Sequence, residues 1–295
     1  MKLDQVGLEG EVQTLRAAVE QSGSEAWQAV AGRLHARLWQ PLEPLLGGAS
    51  RVLIVAHGTL HYLPFAVLRG ADGKLLVERY GLRFLPGASV LKFLRPSATG
   101  ASLLALGNPD LGDARLDLNF AGEEARAVSG LFPDARLLLR QEASETNFRK
   151  AAGSFRRIHV ASHGSFRADA PLASGLYLAR DAENDGLLTV GELYDLSLSA
   201  DLVTLSACET GLGKVVNGDD IVGLNRGFLY AGARSVVASL WSVEDQATSR
   251  LMQAFYRNLG KLDKVEALRQ AQLSTRTAFP HPFYWAAFQL TGRAD

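Results

Sequence analysis

The stretch DLVTLSACETGLG (201–213) passes from an apolar run into a glycine-rich turn and carries Cys208, the only cysteine among 295 residues. Its first part, LVTLS (202–206), is apolar without alternation, as expected of a strand buried on both faces of a parallel sheet. RIHVAS (157–162) is a second run of this kind and leads directly into His163-Gly164. Ligand sites of open parallel sheets lie beyond the carboxyl ends of their strands. If these two strands are neighbours, an imidazole and a thiol project from the same sheet edge.

From residue 101 onward the pattern supports such a sheet. Strands are expected at SLLALG (102–107), ARLLL (135–139), SGLYLA (174–179), SVVASLW (235–241) and WAAFQL (285–290). Helices are expected over 120–131, 144–152, 219–231, 244–259 and 263–278, with a short one at TVGEL (189–193) opened by a Thr189/Glu192 capping box. Strands alternating with helices predict an α/β fold, a mostly parallel sheet flanked by helices on both faces. Upstream, Leu15, Val19, Trp27, Val30, Leu34 and Leu38 predict a helix over 11–46, closed by Gly47-Gly48. Strand-like runs follow at RVLIVAH (51–57), LHYLPFAVL (60–68) and LLVERY (75–80), and Pro64 makes the second an edge strand or an irregular segment. PSATGAS (96–102) has the composition of a linker. The expected division is therefore a helical segment 1–50, a second part 51–100 and a core 101–295.

The composition narrows the function classes. Apolar residues make up 47% and charged residues 21%, and Lys+Arg equals Asp+Glu at 31 each, so bulk charge does not point to nucleic acid or a membrane surface. One cysteine cannot close an intramolecular disulfide, and the first residues, MKLDQVGLEGEVQ, lack the apolar centre of a signal peptide. No apolar stretch reaches the length of a membrane span. A soluble, cytoplasmic protein is expected.

A thiol becomes an effective nucleophile when a nearby imidazole takes its proton, and the N–H groups of Gly164 and Cys208 are candidates to stabilise a tetrahedral oxyanion. The competing reading is a small buried cysteine and a structural histidine. His57 and His61 have the spacing of a helical zinc pair, but the Glu of H-E-x-x-H is missing and the segment does not read as helix. GLGK (211–214) lacks the spacing of a phosphate loop. His159 reads as a core or orienting residue, and Asp219 and Asp220 as first-turn residues favoured by a helix dipole. No metal or cofactor is expected.

Several segments together resemble the CHAT proteases, caspase-like members of the cysteine peptidase clan that includes caspases, gingipains and separase. They are VLIVAHGTLHYLPFAVL (52–68), IHVASHGSF (158–166), PLASGLYLA (171–179), LVTLSACETGLG (202–213), VGLNRGFLYAGARSVVASLWSVED (222–245) and HPFYWAAFQLTG (281–292). The resemblance implies a caspase-like catalytic core over 101–295, preceded by a degenerate, non-catalytic part in which His57 is structural. It implies His163 as general base and Cys208 as nucleophile of an endopeptidase acting on a protein partner. The alternative is a catalytically silent interaction module. Bacterial defence or programmed cell death is the implied setting. Members often carry helical repeats upstream, so the chain is expected either to be a fragment of a longer protein or to answer to a separate sensor or activator.

The resemblance also assigns LWSVED (240–245). Its acidic residue, Asp245, with Glu244 as the alternative, would line a pocket for an Arg or Lys side chain before the scissile bond. A competing reading makes Ser242 an N-cap and Asp245 its N3 partner. Finally, ETGLGKVVNGDD (209–220) is expected to order around bound substrate or activator, or else to be a simple connection.

Overall fold

Successive residues of the central strands feed two different cores, as the apolar runs predict. In a computed structural model, which describes residues 5–94, 100–118, 120–165, 167, 169–206, 208–209 and 220–295, Leu103 and Ala105 enter one cluster and Leu104 and Leu106 the other. Val237 likewise faces the first, and Val236 and Ala238 the second. Both sheet faces are therefore covered, and burying each such leucine contributes about 1.5–3 kcal/mol.

The chain begins with α1 (Gln5–Glu20) and α2 (Trp27–Leu34), which continues through a π-turn (His35–Trp39) and a 3-10 turn (Gln40–Leu45). The single helix predicted over 11–46 is thus interrupted. At the break the Ser24 hydroxyl accepts the Ala26 N–H (3.2 Å), a local bond that competes with the helix. Strand β1 (Arg51–Val55) follows. The 60–68 run takes its irregular form, with 3-10 turns at Gly58–Tyr62 and Phe65–Val67. LLVERY does not form a strand. The Leu75 N–H donates to Glu78 (2.7 Å) and opens the short helix α3 (Leu76–Arg79), and the strand comes next, as β2 (Gly81–Leu85).

Beyond it lie β3 (Leu103–Pro109), α4 (Ala121–Ser129), β4 (Ala135–Arg140), α5 (Glu145–Ala151), β5 (Arg157–Ala161), β6 (His163–Ser165), β7 (Gly175–Tyr177) and β8 (Leu187–Thr189). Then come α6 (Val190–Leu193), β9 (Leu202–Leu205), β10 (Cys208–Glu209), α7 (Asp220–Tyr230), β11 (Ser235–Ser239), α8 (Asp245–Leu259), α9 (Lys264–Ala278) and β12 (Phe288–Gly292). Thr189 and Glu192 form the predicted capping box of α6. Asp220 opens α7; Asp219 lies outside the described residues, as do residues 210–218 of the proposed mobile loop and GLGK within it.

Among the described residues, eight strands make the main sheet in the order β1-β2-β12-β11-β9-β5-β3-β4, parallel except where β12 meets β11. The 51–100 part contributes β1 and β2, hydrogen-bonded into this sheet through β12. A smaller sheet, β10-β6-β7-β8, stands at its carboxyl edge. This mixed, mostly parallel sheet between helical layers, with helices preceding it, is a caspase-like α/β architecture.

One glycine decides how closely α4 lies on β3. A Cβ on Gly107 would come within 2.5 Å of the Ala125 Cβ and 2.7 Å of the Ala121 carbonyl oxygen. Only a residue without a side chain permits that approach.

Candidate active site

Strands β5 and β9 are parallel neighbours, with Val160 opposite Leu205. Just beyond their carboxyl ends the chain pairs again. In β6 and β10, also parallel, Cys208 is the register partner of His163 and Glu209 that of Gly164. The two residues singled out for chemistry are thus adjacent in backbone register, on strands that leave the main sheet at one edge. The Ser162 hydroxyl donates to the Tyr177 carbonyl at the junction between β5 and β6 and ties β7 to it.

The His163 ring is buried and its orientation is specified. Nε2 lies 2.6 Å from the Leu116 carbonyl oxygen, which can only accept. Nε2 therefore carries the proton and Nδ1 keeps the lone pair a base requires. Nδ1 is buried and has no hydrogen-bond partner among the described residues. The loop presenting Leu116 is itself pinned: Asn108 Oδ1 accepts the Leu118 N–H (3.1 Å) and Arg140 pairs with Asp117 (2.5 Å). Asn108 and Arg140 both adopt positive φ, 44° and 50°. Residue-type reasoning had no access to Leu116, because a backbone carbonyl leaves no mark on composition.

Asp245 is the first residue of α8, which starts after β11 at the same sheet edge. Glu244, not Ser242, is the N-cap: its carboxylate accepts the Ala247 N–H (2.8 Å). The competing Ser242/Asp245 cap pair does not form, because the helix begins two residues later than that spacing requires. The Asp245 carboxylate instead accepts the backbone N–H of Phe120, the N-cap of α4. Burial pushes the Asp245 carboxyl above the usual carboxylate range; Glu124 and Glu244 add to the rise, while the Phe120 N–H and the His163 imidazole oppose it.

Behind Asp245, Glu124 on α4 and His159 on β5 meet at 2.9 Å with 2% and 0% of their side chains exposed, a close polar contact without hydrogen-bond alignment. The Tyr256 ring stands edge-on to His159 (5.4 Å, 80°) and its hydroxyl donates to Thr204 Oγ1 (2.9 Å). His159 thus sits in the core, as read from the sequence, but with a buried carboxylate for company.

The remaining candidates lie elsewhere. His57 follows β1 at the far edge of the sheet, and the structure does not bring it near His163. One further pattern, not among the candidates read from the sequence above, is DAENDG (181–186) with Glu192, which approximates the spacing of a calcium loop. Its acids are engaged locally: Asp181 accepts the Thr146 hydroxyl (2.8 Å) and the Glu183 N–H (2.9 Å), and Glu192 caps α6. Among the described residues no group of three or more His, Cys, Asp or Glu side chains is arranged to hold a metal, and no helix is long and apolar enough to cross a membrane.

The CHAT domain profile matches residues 28–293, nearly the whole chain. The chain belongs to the CHAT domain family. Tetratricopeptide repeat protein 28 of Mus musculus is 29% identical over 302 residues, and its Homo sapiens counterpart 29% over 300. Each alignment covers 84% of this CHAT chain and 12% of the relative, so the chain spans a small part of those proteins. Among solved structures, the Arg-specific cysteine proteinase gingipain R superposes with a TM-score of 0.59 at 10% identity, over 88% of this chain and 67% of that one. Separase of Saccharomyces cerevisiae, in its securin complex, gives 0.53 at 15% identity, over 79% and 15%. At such identities the likeness is one of fold alone.

Proposed function

We propose that this CHAT domain is a cysteine endopeptidase that cleaves a protein partner after Arg or Lys. The observation that carries the reading is the register pairing of His163 with Cys208 at the carboxyl edge of the sheet. In this mechanism the Cys208 thiol gives its proton to His163 Nδ1, and the thiolate attacks the scissile carbonyl carbon. The N–H groups of Gly164 and Cys208 stabilise the oxyanion. His163 then returns the proton to the leaving amine, and water hydrolyses the thioester, again with His163 as base. The Leu116 carbonyl orients the ring without adding a charge. Asp245 receives the cationic side chain, Arg as a bidentate partner and Lys as a point charge, and repels acidic ones.

The name of the repeat-bearing relatives supports coupling to a helical-repeat sensor or activator. Cytoplasmic action in defence or cell death is the biological setting proposed for it. The test is covalent labelling by a peptidyl electrophile carrying Arg before the reactive carbon. Labelling of Cys208 that is lost in His163→Ala is expected; labelling of equal rate in that variant refutes the dyad and leaves the silent interaction module.

A further inference from the structure

The proposed dyad makes no use of Glu124 or His159, yet both are ionisable side chains buried beside the proposed pocket. Glu124 lies one turn into α4 from Phe120, whose carbonyl accepts the Glu124 N–H (2.7 Å) and whose own N–H holds the Asp245 carboxylate. The approach of α4 to β3 at Gly107 and the edge contact of Tyr256 with His159 leave this pair little room to move away. Two carboxylates and one imidazole thus share a poorly solvated region, where charges are weakly screened. A carboxylate beside Asp245 opposes its ionisation while the pocket is empty. It rewards any cation that enters.

We propose that Glu124, backed by His159, is a positioning residue of the basic-side-chain pocket: acting through Asp245, its charge sets how strongly the pocket prefers a cation to a neutral side chain of the same shape. The inference rests on the Asp245 pocket proposed above.

The test uses two fluorogenic peptides that differ only before the scissile bond, one with arginine and one with citrulline, its neutral isostere. In Glu124→Gln the Arg:citrulline ratio of kcat/KM should fall roughly tenfold, as expected for one charge several ångströms away at intermediate dielectric. The loss should appear as a higher KM for the Arg peptide, with kcat nearly unchanged. A role confined to packing would slow both peptides alike and leave the ratio intact, which overturns the inference. Glu124→Met, which removes the charge with an unbranched apolar side chain suited to a buried helical site, should lower the ratio likewise; an unchanged ratio counts against the inference, and this variant decides if Glu124→Gln does not fold. A parent enzyme without preference for arginine over citrulline overturns the pocket reading together with the inference. A parent with that preference and an unshifted Glu124→Gln overturns the inference alone.

Discussion

Tyr256 and Thr204 join the helix that begins at Asp245 to the strand that leads to Cys208, and their bond has a calculable worth. Tyr256 is fully buried, and burial pushes its hydroxyl well above the usual tyrosine range, so it remains a donor at all working pH values. Tyr256→Phe removes only the oxygen. The ring keeps its edge contacts to His159 (5.4 Å) and Phe132 (5.9 Å), so the cost is that of one buried neutral hydrogen bond, about 1–1.5 kcal/mol. Thr204→Val preserves shape but strands the phenolic proton in the core, at about 1–3 kcal/mol. With both changes no polar group is left unpaired, so the double variant should cost less than the sum by about 1–2 kcal/mol. For a chain of this size each kcal/mol displaces the melting temperature by roughly 2 °C. Urea unfolding followed by tryptophan fluorescence gives the cycle directly. Costs that add to within about 0.5 kcal/mol would refute the reasoning, because independent sites behave in that way.

Cys208→Ala and His163→Ala should each abolish peptide cleavage with unchanged far-UV circular dichroism; residual turnover near the parent level in either removes that residue from the mechanism. Because its carboxyl titrates above the usual range, Asp245 should impose a fall in kcat/KM for an Arg peptide as pH drops through that raised value, a fall absent with the citrulline peptide. The sign for stability is the reverse of a salt-bridged aspartate: the folded state holds the Asp245 proton more tightly than the unfolded one. Asp245→Asn should therefore stabilise the chain above the raised value, by an amount that shrinks as pH falls through it and vanishes below the usual 3.8; thermal melts across this range check it. Gly107→Ala should destabilise by about 1–3 kcal/mol, since α4 must lift from β3, and should lower the Arg:citrulline ratio by displacing Phe120 and Glu124. An undiminished ratio in folded Gly107→Ala would show that α4 does not shape the pocket.

What the sequence makes legible here follows from where the determinants sit. Buried parallel strands are apolar along their whole length, so RIHVAS and LVTLS announce themselves, and the polar residues just beyond them mark the sheet edge. LLVERY is richer in apolar residues than GLRFL (81–85), yet GLRFL is the strand. The short helix at Leu76–Arg79 is nucleated by the bond from the Leu75 N–H to Glu78, a preference that counting apolar residues does not register. The start of α8 falls within one residue of the expected 244, but its cap was not legible: Ser242, Glu244 and Asp245 are all residue types that can cap, and the structure uses Glu244. The partners of His163 and Asp245 were hidden more deeply. Leu116 acts through its carbonyl and Phe120 through its N–H, and neither function depends on the side chain that the sequence spells out. The Glu124–His159 contact joins residues from different elements, brought together by the α4–β3 approach that Gly107 allows.

The arrangement of charge follows a physical logic under the proposed reading. A carboxylate bonded to His163 Nε2 would stabilise the imidazolium and fix the ring by its charge. The Leu116 carbonyl fixes the ring through the hydrogen bond alone, and the acidic groups stand instead between α4 and α8. There the Asp245 carboxylate lies in the first turn of a long helix, whose dipole favours an anion, and accepts the Phe120 N–H. These interactions favour its ionisation, while burial and Glu124 oppose it. A guanidinium entering the pocket favours the ionised form further, so the binding of the side chain and the ionisation of its receptor reinforce each other. An acidic side chain would meet two carboxylates and a neutral one would gain nothing from either. Selectivity would then arise less from the shape of the pocket than from the unfavourable electrostatics of leaving it empty.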